Sequence, residues 1–281
     1  MASTSVQCPT CIQSNGEVAI TPSWLKKIHF LATANSLSIR FTALGSLNVD
    51  ESVSIELEAP SGLGRAALAE FVGTFFLLVG VVGSGIMAEL LTDDVGLQLL
   101  ANSTATVGIL IALILAFADT SGAHFNPAVT LTDMAFGGTG FNKAMVYIVA
   151  QIAGGILGVI AANVMFELDP INISERTRSS GALWFAEGIA TLGLLLVIFG
   201  IVRRGNPAMV SYAVGAYIGG AYWFTSSTSF ANPAVTISRL FSNTFAGIAP
   251  SSVPAFIIAQ AIAVAIAIVL IGVLWPSRRD S

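Results

Sequence analysis

The sequence predicts an all-α membrane protein of six transmembrane helices and two re-entrant half-helices, arranged as an inverted repeat. Three observations lead there. Apolar residues make up 54% of the chain and charged ones 10%, with a mean hydropathy of +0.81, too little charge to cover a water-soluble surface. Six apolar stretches, roughly 66–90, 97–118, 144–166, 182–202, 207–225 and 253–275, approach the ~20 residues that cross a ~30 Å hydrocarbon layer. The string Asn-Pro-Ala-Val-Thr occurs at 126–130 and again at 232–236, each time between two of those stretches.

Residues 1–62 are more polar than the rest and lack the long apolar core of a secretory signal. They read as a cytoplasmic extension, either partly disordered or belonging to an over-early start. Within them Cys8 and Cys11 form a lone CxxC with no second pair and no adjacent histidine, which gives no reason to expect a metal or redox site. The channel-forming domain is expected over 63–276, its repeats at about 66–166 and 182–275, with a short tail at 277–281.

The repeat is visible in paired residues. Ala69-Glu70 followed by Thr74 in the first span returns as Ala186-Glu187 followed by Thr191 in the fourth, and Ala150-Gln151 in the third as Ala259-Gln260 in the sixth. Three spans per half is an odd number, so the second half must enter the membrane from the opposite side. Arg65, Lys143, Arg203, Arg204, Arg278 and Arg279 fall on one side of this topology, against Arg176, Arg178 and Arg239 on the other. By the excess of basic residues, both termini are expected in the cytoplasm of a multi-pass plasma (inner) membrane protein. Gly154 and Gly158 in the third span and Gly215 and Gly219 in the fifth, four apart, predict close helix contacts. The sixth span offers alanines at 259, 261, 263, 265 and 267 instead.

Each repeated motif should open a helix, with asparagine as N-cap and proline at the first helical position. About ten residues run on towards Gly137 and Gly247, enough for ~15 Å, or half the hydrocarbon layer. Backbone that dips into a membrane without crossing it is tolerable only where protein buries it or where it lines an aqueous path, so a pore is expected. At its midplane two positive helix ends and the amides of Asn126 and Asn232 would offer donors to a passing oxygen while opposing cations. A third triplet, Asn206-Pro207-Ala208, stands before a full-length apolar stretch and reads as a turn that starts the fifth span.

These motifs resemble the aquaporin and glycerol-facilitator superfamily. The resemblance rests on Ala69-Glu70-Phe71-Val72-Gly73-Thr74, Ser121-Gly122-Ala123-His124-Phe125-Asn126-Pro127-Ala128-Val129-Thr130 and Ala231-Asn232-Pro233-Ala234, over about 66–275. It implies a passive channel for small uncharged solutes, with the lipid bilayer as its environment, a homotetrameric assembly, no cofactor and no catalysis. Exclusion of ions and protons would follow as in aquaporin-type pores. It favours Glu70 and Glu187 as structural acids that accept hydrogen bonds from the re-entrant loops, over a proton relay. His124 is expected in the inner vestibule and, with His29 remote in the extension, not as a metal ligand.

One position departs from the family: the arginine that follows the second Asn-Pro-Ala is replaced by Val235. Carrying the other constriction positions over by their offsets gives Thr106, Gly220 and Ser229, with Val107 as the alternative in the second span. All are small, which predicts a pore wider than a strict water channel, passing glycerol, urea or undissociated arsenous acid, as in bacterial aquaporins linked to arsenic handling. A strict water channel and an inverted-repeat transporter are the competing readings. Arg239, one turn beyond Val235, is expected either to line the outer vestibule in place of the missing arginine, or to reach the outer interface or pair with a loop carboxylate. Dispersed basic residues and a net charge of −4 give no nucleic-acid-binding face.

Overall fold

A computed structural model describes residues 62–276 and, upstream, the strand residues 28–33 and 36–41. The chain divides into two units, Met1–Ser61 and Gly62–Ser281. In the first, β1 (Ile28–Thr33) pairs antiparallel with β2 (Ser36–Phe41), Ile28 opposite Phe41 and Thr33 opposite Ser36. That hairpin departs from the all-α expectation, which holds for the described part of the second unit. Cys8, Cys11 and the tail 277–281 lie outside the described residues.

The second unit contains α1 (Gly62–Leu91), α2 (Val95–Ser121), the short α3 (Pro127–Ala135), α4 (Phe141–Met165), α5 (Gly181–Arg203), α6 (Val210–Phe224), the short α7 (Pro233–Ser238) and α8 (Val253–Leu274). The ends follow local chemistry. Asp94 Oδ1 accepts from Leu97 N at 3.0 Å to start α2, and Gly122 stops it in the left-handed region at φ 94°. The Ser180 side chain caps α5 by accepting from Leu183 N.

Among the described residues five helices, α1, α2, α4, α5 and α8, are long and apolar enough to cross a membrane. The fifth expected span is shorter. Its α6 of 15 residues rises only about 22 Å. A 3-10 turn, Pro207–Met209, precedes it and adds about 6 Å, bringing the segment close to the hydrocarbon thickness.

The packing repeats between halves. α1 lies on α2 and α4, as α5 lies on α6 and α8, and α2 meets α6 across the halves. Gly154 and Gly158 touch α1 so closely that a Cβ at either would run into the backbone carbonyl of Phe71 or Phe75. Gly215 and Gly219 instead leave room for the side chains of Ile111 and Val107 of α2. On α8 only every fourth alanine, Ala259, Ala263 and Ala267, is buried, while Ile258, Ile262 and Ile266 face outward. Outward Leu68, Phe76, Leu115, Phe185 and Val269 continue this apolar exterior, as a chain solvated by lipid requires.

Candidate functional site

Both half-helices begin as the motif chemistry dictates. Asn126 Oδ1 accepts from Ala128 N at 2.9 Å and Asn232 Oδ1 from Ala234 N at 2.9 Å, each with proline at the first position. The amide nitrogens do something the sequence did not announce. Asn126 Nδ2 donates to Ala231 O at 2.7 Å, and Asn232 Nδ2 to Phe125 O at 2.8 Å, so the two half-helix entrances are tied reciprocally across the repeat axis. One hydrogen of each amide is thus spent on protein, which leaves the other as the donor each asparagine has to offer.

The carbonyls accepting those bonds are turned by backbone in the left-handed region: Ala123 and Phe125 at φ 50° and 48°, Ser229 and Ala231 at 52° and 48°. Such angles cost a non-glycine residue on the order of 1–3 kcal/mol each and persist only where the surroundings fix them. The buried acids provide that fixation. Glu70 accepts from His124 N at 2.9 Å, Phe125 N at 2.6 Å, Ser121 Oγ at 2.6 Å and Gln151 Nε2 at 2.8 Å. Glu187 accepts from Phe230 N, Ala231 N and, at 2.7 Å, Gln260 Nε2. The repeated glutamines extend each network, since Gln151 Nε2 also reaches Thr130 Oγ1 and Gln260 Nε2 reaches Thr236 Oγ1, at 3.0 and 2.8 Å. Both carboxylates are buried, and each of their oxygens accepts at least one hydrogen bond from neighbouring protein donors.

A cavity of about 440 Å³ runs along this junction, room for several water molecules. Its walls include Asn126 and Asn232, and Pro127, Ala128, Pro233 and Ala234 form the first turns behind them. At the α3 mouth it is bordered by Asp119, Asp133 and His124, whose Nε2 stands 4.0 Å from Asp133 Oδ2 and whose Nδ1 lies 3.1 Å from Thr130 Oγ1. Pro207 and Ala208 of the third triplet reach the same rim, but Asn206 makes no side-chain cap.

At the α7 mouth Thr106, Ser229, Val235 and Arg239 all border the cavity. In the second span it is Thr106 that faces inward, while Val107 packs on Gly219. Gly220 does not border the cavity. The inward stripe of α6 is Val214, Ile218 and Tyr222, spaced by four, and a residue two past Ile218 is rotated about 200° onto the outer surface. Tyr222 takes that place, its hydroxyl 3.1 Å from Thr106 Oγ1, so the wall is less uniformly small than the sequence offsets implied. The helical spacing from Val214 was the available signal.

The second half-helix is also shorter than expected. α7 has six residues and tightens into a 3-10 turn, Arg239–Phe241, well short of Gly247. Arg239 is only 2% exposed and shares the cavity stripe with Val235. Its Nε donates to Ala246 O, and its guanidinium lies 3.6 Å from the centre of the Phe230 ring. It pairs with no carboxylate among the described residues.

The sequence pattern of the Major intrinsic protein family matches residues 58–229. The chain is 45% identical over 217 residues to the aquaglyceroporin AqpS of Rhizobium meliloti (strain 1021), spanning 77% of this chain and 93% of that protein. It is 33% identical over 189 residues to a probable TIP-type aquaporin of Medicago truncatula, spanning 61% of this chain and 73% of that one. The solved aquaglyceroporin of Plasmodium falciparum has the same fold, with a TM-score of 0.54 at 23% identity over 74% of this chain and 93% of that one. With its twin half-helices, reciprocal asparagines and six-span scaffold, the chain belongs to the major intrinsic protein family.

Proposed function

We propose that the protein is a passive channel for small uncharged solutes, glycerol and water first among them. Urea and undissociated arsenous acid fall within the same range of size and polarity. The observation that supports this best is the two-sided wall at the α7 mouth. Val235 occupies the sequence position of the family's arginine, while the hydroxyl-bearing residues Thr106, Tyr222 and Ser229 border the same cavity. A polyol has one hydroxylated edge and one hydrocarbon edge, and such a wall can meet both. The glycerol named in the description of AqpS agrees with this reading. The converging half-helix ends oppose cations.

By its family the channel would assemble as a homotetramer in the plasma membrane, with both termini cytoplasmic. Reconstitution into liposomes tests the solute range by stopped-flow light scattering. Water, glycerol, urea and arsenite gradients should each relax faster than in empty vesicles. Acceleration of water alone would leave a strict water channel.

A further inference from the structure

The α7 mouth holds more positive charge than its surroundings balance. Arg239 and Arg178 are 2% and 8% exposed, and both guanidiniums approach the Phe230 ring, at 3.6 and 5.1 Å from its centre. Arg176 lies 5.1 Å from the adjacent Phe245 ring. Arg178 is held by backbone at two of its nitrogens, its Nε donating to Gly247 O at 2.9 Å and its Nη2 to Phe245 O at 3.3 Å. Arg239 is not: only its Nε has a partner among the described residues, and both terminal nitrogens are left over. The nearby acids are engaged elsewhere, Glu187 with the Phe230 and Ala231 amides and Glu89 with Phe245 N. No carboxylate lies within 4.0 Å of any of the three arginines among the described residues; the close approach of His124 to Asp133 is at the α3 mouth.

A second polar group without a partner belongs to the same wall. Ser229 Oγ is buried, has no hydrogen-bond partner and belongs to a residue that borders the cavity beside Arg239. Buried cations and buried hydroxyls left without partners are both costly, so the pair calls for a ligand that supplies negative charge and acceptor atoms together.

We propose that this mouth is a binding site for a small planar oxyanion, carboxylate-like or nitrate-like, that rests on Arg239 and Ser229 and competes with neutral solute for the cavity. Two oxygens of such an ion match the fork of the unused guanidinium nitrogens, and Ser229 donates to another. The Phe230 ring lies against the guanidinium, and Ala246 O occupies its Nε edge, so the terminal nitrogens are the part left for a ligand. Arg178 adds a second positive charge without offering the ion a comparable free edge. Competition with solute rests on the channel reading above; binding of the ion does not.

Nitrate is the appropriate probe, because it is planar, stays ionised at neutral pH and cannot cross the bilayer as a neutral acid. Glycerol relaxation of proteoliposomes is recorded in potassium nitrate and in potassium chloride at equal osmolarity and ionic strength, and the melting temperature of the detergent-solubilised protein is measured in the same salts. Nitrate should slow glycerol saturably and raise the melting temperature relative to chloride, and Arg239→Gln should abolish both effects. Ser229→Ala should require roughly tenfold more nitrate for either effect, the loss expected for one hydrogen bond to a charged group. Identical flux and melting in the two salts overturns the site. Glycerol flux absent from the wild type, with nitrate stabilisation that Arg239→Gln removes, supports the site while removing the solute reading. Should Arg239→Gln fail to fold, unchanged nitrate dependence in folded Ser229→Ala overturns it.

Discussion

The two halves of the channel share a scaffold and differ in lining. Each begins with a buried glutamate, Glu70 on α1 or Glu187 on α5, that holds the amides of the approaching re-entrant loop. Each continues with a glutamine, Gln151 on α4 or Gln260 on α8, that joins this acid to the threonine one turn into the half-helix. Beyond these pairs the correspondence ends. The α3 mouth is bordered by Asp119, Asp133 and His124, and α3 remains regular for nine residues. The α7 mouth is bordered by Arg239, Ser229 and Val235, and α7 tightens after six. The groups that hold the backbone in its left-handed turns are repeated because both halves face the same folding problem. The groups that line the cavity are free to diverge, and at these mouths they carry opposite charge.

The largest expected effect tests the shared part. Glu70→Ala and Glu187→Ala should each leave several buried donors without acceptors, at about 1–3 kcal/mol per donor. Both variants should lose most folded protein in detergent, measured by thermal unfolding, and to a similar extent. A large loss in one half only would break the equivalence.

A smaller effect concerns helix contact. Counting from the paired glutamines, Gly154 of α4 corresponds to Ala263 of α8. Gly154→Ala would force a methyl group into the Phe71 carbonyl and should cost about 1–3 kcal/mol. Ala263→Gly removes a methyl group from a contact built to hold one and should cost about 1 kcal/mol. The ratio of the two losses in unfolding midpoint sharpens how far the α1–α4 and α5–α8 interfaces have diverged. The smallest effect is at Tyr222. Tyr222→Phe removes the bond to Thr106, whose hydroxyl keeps its bond to Asn102 O at 2.9 Å, so the stability change should stay near 0.5–1 kcal/mol.

Much of this was legible beforehand. Six apolar stretches, two Asn-Pro caps and the paired Glu and Gln residues give the inverted repeat, because span length, helix starts and buried acids leave marks in sequence. The reciprocal Asn126 and Asn232 bonds were not legible, since they depend on left-handed backbone at Phe125 and Ala231, two residue types that do not advertise it. Gly220 was misplaced because offsets counted from Asn232 ignore where α6 ends and how the following loop is wound; rotation about the helix from Val214 leads to Tyr222. The burial of Arg239 depended on Phe230 and Ala246, partners joined to it only by the fold. The third Asn-Pro-Ala triplet read as a turn at the start of the fifth span, and a 3-10 turn, Pro207–Met209, lies there ahead of α6.

The central claim is that the α7 mouth, lacking a guanidinium at position 235, admits solutes larger than water. Glycerol and water permeabilities of wild type and Val235→Arg, measured by stopped flow on the same proteoliposome preparations, test it most directly. The account predicts that glycerol permeability falls roughly tenfold or more in Val235→Arg while water changes by less than about twofold. Equal glycerol permeability in the two folded proteins, or a wild type that passes water alone, would contradict it.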